Sequence, residues 1–320
     1  MRIAIFGSGG VGAYFGGRLA RAGHGVAFVA RGAHLEALRR AGLAVESVAG
    51  DFTVRPVEAA SDPREIGPVD AILVGVKAWQ VREAAKAMGP LLGAETFVVP
   101  LQNGVEAADE LADVIGAGRV LGGLCRIMSF VAGPGRIRHT SIAPRIEFGE
   151  RDGRTSARVA ALRDAFAQAE GLSAVTPPDI AVALWEKFLF IAPISAVGAV
   201  TRMPAGAFRA VPETRVMLEQ SMGEILALAH ARAVGLGADS VPRTLAIIDG
   251  LPPDVTASMQ RDILEGRPSE LEYQVGAVVR LAAQAGVAAP ASAFLYASLL
   301  PAERRARAQS TNSGGKGFPP

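Results

Sequence analysis

Cysteine is almost absent: Cys125 is the one thiol in 320 residues. A single thiol excludes an internal disulfide and a metal site built on several cysteines, and it suits a reducing compartment, so a cytoplasmic protein is expected. Charge of one sign is missing too, with 33 Lys and Arg against 31 Asp and Glu and a formal net charge of +2. That balance argues against a nucleic-acid partner or a polyanionic surface. Histidine is scarce. His24, His34, His139 and His230 are scattered without metal-ligand spacing and read as surface or loop residues, so no metal is expected. No G-x-S-x-G elbow occurs, which weakens a serine-hydrolase reading. Long hydrophobic runs are lacking as well. The longest uncharged apolar stretch, Phe188 to Val200, contains Pro193 and is bounded by Lys187 and Arg202, whereas a bilayer crossing takes about 20 apolar residues. It reads as a buried helix, and no membrane association is expected. Ile3-Ala4-Ile5-Phe6 breaks into glycines too early for a signal peptide.

What the chain does have is apolar material, half of its residues, with only 20% charged. Domains hold roughly 100–200 residues, so two are expected. In the first third, short β-branched runs alternate with helical patterns. Arg2 to Phe6, Val26 to Ala30, Ala71 to Val76 and Thr96 to Leu101 read as strands, with helices over Val11 to Ala22 and Gln80 to Leu92. The alternation predicts an α/β domain with a doubly wound, mostly parallel sheet. Leu43 to Val48 and Phe52 to Val54 flank Ala49-Gly50-Asp51 as a small hairpin. Val120 to Phe148 reads as antiparallel strands parted at Gly133-Pro134-Gly135 and at Pro144. Beyond Pro177-Pro178 strand patterns vanish and helical ones continue to Arg307, with breaks at Pro204 to Gly206, Gly235 to Gly237, Gly250 to Pro253 and Gly266 to Pro268. The expected domains are 1–176, a nucleotide-binding domain, and 177–308, all-helical, followed by a Gly/Ser/Pro-rich tail over 309–320 that reads as disordered.

Gly7-Ser8-Gly9-Gly10-Val11-Gly12 ends the first strand and opens the first helix. In this context Gly7 allows a tight turn, Gly9 lets the backbone approach a pyrophosphate and Gly12 permits close helix packing, with phosphates on the helix N-terminus. An NAD-selecting protein carries Asp or Glu about 20 residues after the glycines to hold a ribose 2′-hydroxyl. Here the second strand ends in Val29-Ala30-Arg31-Gly32, with no carboxylate until Glu36. Arg31 suits a 2′-phosphate, so NADP(H) is the expected cofactor.

Ligands of open α/β sheets bind beyond the carboxyl ends of the strands, where Lys77 and Asn103 lie. Each is compatible with a ligand contact, or with a helix-terminus lysine and an Asn-Gly turn. In the helical half, Lys187 sits in an apolar helical run. A partly desolvated amine suits proton donation to a carbonyl oxygen, and the competing reading is a lysine snorkelling from the helix edge. Ser269 with Glu272 fits a capping box, which leaves Glu270 available for another role or as a first-turn acid.

Together these segments resemble the ketopantoate reductase (2-dehydropantoate 2-reductase) family. The likeness covers Met1 to about Ala306. It rests on the N-terminal glycine segment, Val76-Lys77-Ala78-Trp79-Gln80, Gln102-Asn103-Gly104, Trp185-Glu186-Lys187, and Ser258-Met259 with Asp262 followed by Ser269-Glu270. The resemblance implies a Rossmann domain joined to a helical domain like that of 6-phosphogluconate dehydrogenase. It also implies NADPH-dependent reduction of a small 2-oxo acid in the cleft between them. It makes Lys187 the general acid, Glu270 an essential carboxylate that also borders the cofactor, Ser258 a substrate-contacting hydroxyl, and Lys77 and Asn103 polar groups between cofactor and substrate. One and two helical turns after Lys187, ketopantoate-reducing members place asparagines that hold the substrate's far hydroxyl. Ile191 and Ser195 stand there instead. Ile191 supplies no hydrogen bond, so Ser195 is the remaining candidate contact and a different 2-oxo acid is compatible with the pattern. Two other readings remain open. One is a related hydroxy-acid dehydrogenase and the other a non-catalytic NADP(H)-binding sensor. Helical domains of this type often pair, so a homodimer is an expectation without an identified seam.

Overall fold

A computed structural model describes residues 1–312 of the chain. Residues Met1–Gln102 and Ala107–Ile180 form one compact unit. Its elements are β1 (Arg2–Phe6), α1 (Gly10–Arg21), β2 (Gly25–Val29), α2 (Gly32–Ala41), β3 (Leu43–Ser47), β4 (Phe52–Val54), β5 (Glu58–Ala60), β6 (Val69–Val74), α3 (Val81–Ala87), β7 (Leu92–Pro100), α4 (Ala107–Ile115), β8 (Gly122–Gly133), β9 (Arg136–Gly149), α5 (Ala157–Ala167) and β10 (Ser173–Val175). The main sheet has the order β5-β2-β1-β6-β7, and every neighbouring pair is parallel. Its central strand β1 buries Ile3, Ala4, Ile5 and Phe6 completely, as a strand covered on both faces must. The strand order reverses between β1 and β6, which puts the turn after β1 at a topological switch point, where such sheets bind ligands.

The hairpin β3–β4 and the antiparallel pair β8–β9 join β10 in a second, mixed sheet, since β9 pairs parallel with both β3 and β10. Helix α1 packs on both sheets. Tyr14, Phe15 and Leu19 fill its buried side. The buried Arg18 guanidinium lies 4.3 Å from the Phe52 ring centroid and donates to the carbonyls of Ala49 and Gly50 at 3.0 Å each. This one cation ties α1 to the hairpin turn by hydrogen bonds and ring stacking.

Several expectations need correction in this unit. Gln80 to Leu92 is not one helix: 3₁₀ turns at Ala78–Gln80 and Gly89–Leu91 flank the shorter α3. Pro90 has no N–H to donate to the helix and Gly89 costs it backbone entropy, so the α-helix ends first. Pro144 does not end a strand; β9 runs past it. Instead the β8–β9 register shifts, Arg126 facing Arg145 while Met128 faces Thr140, with Ser141 at φ 73° in the displaced segment. His139 is neither surface nor loop. It lies on β9, 1% exposed, with Nδ1 2.8 Å from Ser47 Oγ and Nε2 2.8 Å from the Ile142 carbonyl. Burial lowers its pKa below the usual histidine value, which favours the neutral ring that such a core position requires.

The second unit takes Asn103–Glu106 and, among the described residues, 181–312. Its helices are α6 (Ile180–Thr201), α7 (Ala205–Ala210), α8 (Pro212–Ala231), α9 (Ser240–Asp249), α10 (Ser258–Leu264), α11 (Val275–Ala285) and α12 (Pro290–Asn312). No strand lies in this unit among the described residues. Helix α6 is the one described helix long and apolar enough to cross a membrane, and 67% of its apolar window is buried inside the protein. Its Phe188, Leu189 and Val197 belong to one apolar core with Leu218, Met222, Ile225, Val278 and Leu281. The break expected at Pro204 to Gly206 lies earlier, because Pro204 caps α7 and Gly206 is already helical. Part of the expected tail is also helical: α12 continues through residues 309–312, and residues 313–320 lie outside the described part.

Ser269 and Glu272 do not form a capping box. The Ser269 backbone N–H and hydroxyl both go to Glu303 of α12, at 3.0 and 2.5 Å, and the next helix begins only at Val275. Glu303 is 4% exposed and also accepts from Arg307 Nε at 2.6 Å. A buried carboxylate with that donor set outcompetes a local glutamate for the same N–H. Glu303→Ala should therefore lower unfolding free energy by about 2–3 kcal/mol, the size of a charge-assisted bond left unmade. Urea denaturation reads this directly, and an unshifted midpoint would contradict the anchoring role.

Candidate active site

The turn after β1 places the glycine segment at the sheet's switch point. Gly7 adopts φ +99°, and a Cβ there would lie 2.6 Å from the Val76 backbone nitrogen. A Cβ on Gly12 would stand 2.2 Å from the Gly7 carbonyl oxygen, so α1 approaches β1 only because this residue has no side chain. Gly9 differs, since a Cβ there would meet nothing within 4 Å. Gly9 is also the N-cap of α1 and makes no side-chain cap bond. The N–H groups of Gly10, Val11 and Gly12 are first-turn donors at the positive end of a twelve-residue helix, and with the open approach at Gly9 they suit a dinucleotide pyrophosphate, while a Cβ on Gly10 would meet the backbone of Ser129 and Phe130. Ser8 closes the loop from the side: its hydroxyl donates to the Val29 carbonyl at 3.0 Å, joining the glycine segment to the end of β2.

Arg31, which Ala30 separates from the end of β2, is the half-buried N-cap of α2, whose first turn carries no acidic residue. Burial lowers the guanidinium's pKa from its ordinary value, the mark of a partly desolvated cation. At the end of β6 the exposed Lys77 places Nζ 5.7 Å from the Trp79 ring centroid, and its backbone N–H donates to Gln80 Oε1 at 3.3 Å. Gln102 has a structural role. Buried, it donates to the carbonyls of Val74 and Val76 at 2.8 and 2.9 Å and stitches the ends of β6 and β7 together.

In the helical unit Lys187 is 7% exposed on α6, beside the edge-to-face pair Trp185 and Phe188. Burial of this degree fits a partly desolvated amine. Ile191 and Ser195 follow on the same helix. Ile191 is partly buried against the apolar core, whereas Ser195 is fully buried with no hydrogen-bond partner for Oγ among the described residues. Ser258 opens α10 and is half-buried. Its neighbours Met259 and Gln260 point into the core, Gln260 donating to the carbonyls of Gly198 and Met203 at 3.1 and 2.8 Å.

Of the residues singled out from sequence, the structure joins Asn103 and Glu270 directly. Asn103 belongs with the helical unit and donates from Nδ2 to Glu270 Oε2 at 3.0 Å. Glu270 is 6% exposed, so a donor of this kind offsets part of the cost of holding its carboxylate away from water. Gly104 makes the approach feasible: it sits at φ +97°, and a Cβ would lie 2.5 Å from the Tyr273 carbonyl oxygen. The glycine segment, Arg31 and Lys77 lie in the first unit, and Lys187, Ser195, Ser258, Asn103 and Glu270 in the second.

Three polar residues escaped the sequence reading. Gln274, one turn beyond Glu270, is fully buried with both carboxamide atoms unpartnered among the described residues. Arg261, three residues after Ser258, is half-buried, donates to Thr256 Oγ1 at 3.0 Å, and has its pKa lowered by burial. Arg280 bonds to both Glu106 and Glu272. Arg280 meets Glu106 from 174 residues away, which no local pattern announces, whereas the Arg261 partner Thr256 stands five residues before it. No group of three or more His, Cys, Asp or Glu suited to a metal occurs among the described residues.

The profile described as "Ketopantoate reductase PanE/ApbA" matches residues 3–153, and "Ketopantoate reductase PanE/ApbA C terminal" matches residues 179–303. The chain is 32% identical over 304 residues to a 2-dehydropantoate 2-reductase of Mesorhizobium japonicum, covering 88% of this chain and 91% of that protein. It is 28% identical over 299 residues to the uncharacterized oxidoreductase YkpB of Bacillus subtilis, covering 93% and 98%. The crystal structure of 2-dehydropantoate 2-reductase from Geobacter metallireducens matches with a TM-score of 0.88 at 32% identity, over 94% of this chain and 100% of that one. A parallel sheet with a glycine cradle, a helical unit that buries Lys187 and Glu270, and family profiles over both make this chain an oxidoreductase that belongs to the ketopantoate reductase family.

Proposed function

We propose that this protein is an NADPH-dependent reductase of a small 2-oxo acid, with Lys187 as general acid, 2-dehydropantoate to pantoate being the reaction that its relatives' names carry. Ketopantoate reductase-like reduction of a 2-oxo acid is the activity that family membership supports. The observation that carries the finer reading is the Asn103 to Glu270 hydrogen bond in a helical unit that also buries Lys187. Such a set of buried, partnered polar groups is costly for a protein that only folds, and it is what proton transfer requires.

The backbone N–H groups of Gly10, Val11 and Gly12 would hold the pyrophosphate, and Arg31 the 2′-phosphate through a charge-assisted fork. When bound, the nicotinamide supplies the hydride. Lys187 gives its proton to the carbonyl oxygen as the carbonyl carbon is reduced, so a 2-oxo acid becomes a 2-hydroxy acid and the lysine is left neutral, to be reprotonated from solvent. Glu270, held by Asn103, orients that lysine or the substrate and borders the cofactor. Ser258 and Ser195 offer hydroxyls to the substrate, Ser195 with a hydrogen-bonding capacity that no described residue uses. Lys77 adds a cation for the cofactor's phosphates or the substrate carboxylate. Ile191 offers none of the hydrogen bonding that the asparagine of ketopantoate-reducing members does, which favours a 2-oxo acid without the far hydroxyl. Cys125, a buried thiol, fits the cytoplasmic setting inferred from cysteine usage.

The test is NADPH oxidation followed against a panel of 2-oxo acids that includes 2-dehydropantoate, with NADH in parallel. Turnover of at least one acid, faster with NADPH, is the expected result. Binding of NADPH without turnover of any acid would favour the sensor reading, and turnover confined to the oxidation of a hydroxy acid would favour the related dehydrogenase.

A further inference from the structure

We propose that Arg280 is the positioning residue of this site: its guanidinium holds Glu106 and Glu272 together and so fixes the loop that presents the Asn103 carboxamide to Glu270. The proposal rests on the functional reading above for the importance of Asn103 and Glu270, and on geometry for the rest. Two short non-helical segments carry those residues, 103–106 and 269–274. Between them run the Asn103 to Glu270 bond at 3.0 Å and the close backbone approach of Gly104 to Tyr273. Each segment carries a further carboxylate: Glu106 at the end of the first and Glu272, two residues after Glu270, within the second. Arg280 Nη2 donates to Glu106 Oε2 at 2.7 Å while Nη1 donates to Glu272 Oε1. From α12, Tyr296 donates to the remaining Glu272 oxygen at 2.6 Å.

The chemistry calls for arginine. A planar guanidinium presents several donors in a fixed fork, so one side chain bonds two carboxylates at a set separation, and it stays charged throughout. Without it the two carboxylates repel each other across the gap that the Asn103 bond must span. Burial, and then Glu272, push the Tyr296 hydroxyl up to about 12, so it remains a donor over the working range of pH. Magnitudes decide between positioning and mere stability. The side chains of Arg280, Glu106 and Glu272 are 37%, 22% and 43% exposed, and ion pairs this accessible contribute little to folding. Misplacement of a reacting group by about 1 Å, in contrast, costs about 100-fold in rate. The network therefore acts on the site more than on the fold.

Arg280→Gln is expected to lower kcat about 10- to 100-fold for the best 2-oxo acid of the panel, with KM for NADPH within about twofold and the urea midpoint unchanged. Arg280→Lys should recover part of the loss, since it restores charge but not the fork. In an Asn103→Ala background the same Arg280→Gln change should add no further loss, because the residue that it positions is gone. Equal losses in both backgrounds, or a kcat unchanged by Arg280→Gln, would overturn the proposal. Hydrogen exchange supplies a readout independent of turnover: amides of 103–106 should exchange at least about tenfold faster in Arg280→Gln while those of α6 and α8 do not change. If the parent chain reduces no 2-oxo acid, the functional reading fails and exchange alone decides. Unchanged protection at 103–106 refutes the role of Arg280, and selective loss sustains it.

Discussion

Lys187→Ala should lower kcat/KM for 2-oxo acid reduction by about 10²–10⁴-fold, the range that a positioned proton donor supplies. NADPH binding should stay within about twofold, because the glycine cradle and Arg31 belong to the other unit. The argument starts from burial. Lys187 is 7% exposed between apolar residues of α6, and a cation in that setting is retained for chemistry more often than for stability. Alanine removes a buried charge and leaves a small apolar residue on a helix, so folding should survive. Lys187→Arg is the informative companion. Guanidinium preserves the charge but does not release a proton at any working pH, so this variant should be almost as slow as alanine. Near-normal turnover in either variant would remove Lys187 from the mechanism. Equal losses of kcat/KM and of NADPH affinity would instead point to a disturbed fold.

Arg31→Asp should reverse the cofactor preference. Loss of a charge-assisted bond to the 2′-phosphate costs about 1.5–3 kcal/mol, or roughly 10- to 150-fold in KM for NADPH. The new carboxylate repels that phosphate further and can accept from a free 2′-hydroxyl. NADH-supported turnover should hold or improve. The position suits the exchange, since Arg31 caps α2 in the short turn after β2 and Ser8 ties the glycine segment to Val29 two residues earlier. Parallel steady-state titrations of both cofactors measure the ratio. A variant that loses NADPH and NADH equally would place Arg31 in the general architecture of the loop and not in 2′-phosphate recognition.

The parts of this protein that local sequence encodes are the parts that were legible in it. A glycine turn between an apolar strand and a helix needs nothing remote to form, so Gly7 to Gly12 could be placed from sequence. The β-branched runs of the parallel sheet were equally readable, because strands buried on both faces are apolar along their whole length. Illegible features depended on partners distant in the chain. Ser269 and Glu272 have capping-box spacing, yet Glu303, 34 residues on, takes the Ser269 donors and leaves Glu272 to Arg280 and Tyr296. Arg280 itself reads as an ordinary charged helix residue until Glu106, 174 residues earlier, is found against it. His139 looked like a loop histidine because the register shift that buries it beside Ser47 is a property of two paired strands. For the candidate site, sequence named residues as expectations, while the bond that joins Asn103 to Glu270 required the fold.

The most direct measurement follows the hydride itself. NADPH deuterated at the transferring C4 position would be incubated with the preferred 2-oxo acid, and the product examined by mass spectrometry. The account predicts a 2-hydroxy acid one mass unit heavier with deuterium on C2, at a rate that Lys187→Ala cuts by about two orders of magnitude or more. A product without the label, or label transfer that proceeds equally well in Lys187→Ala, would contradict it.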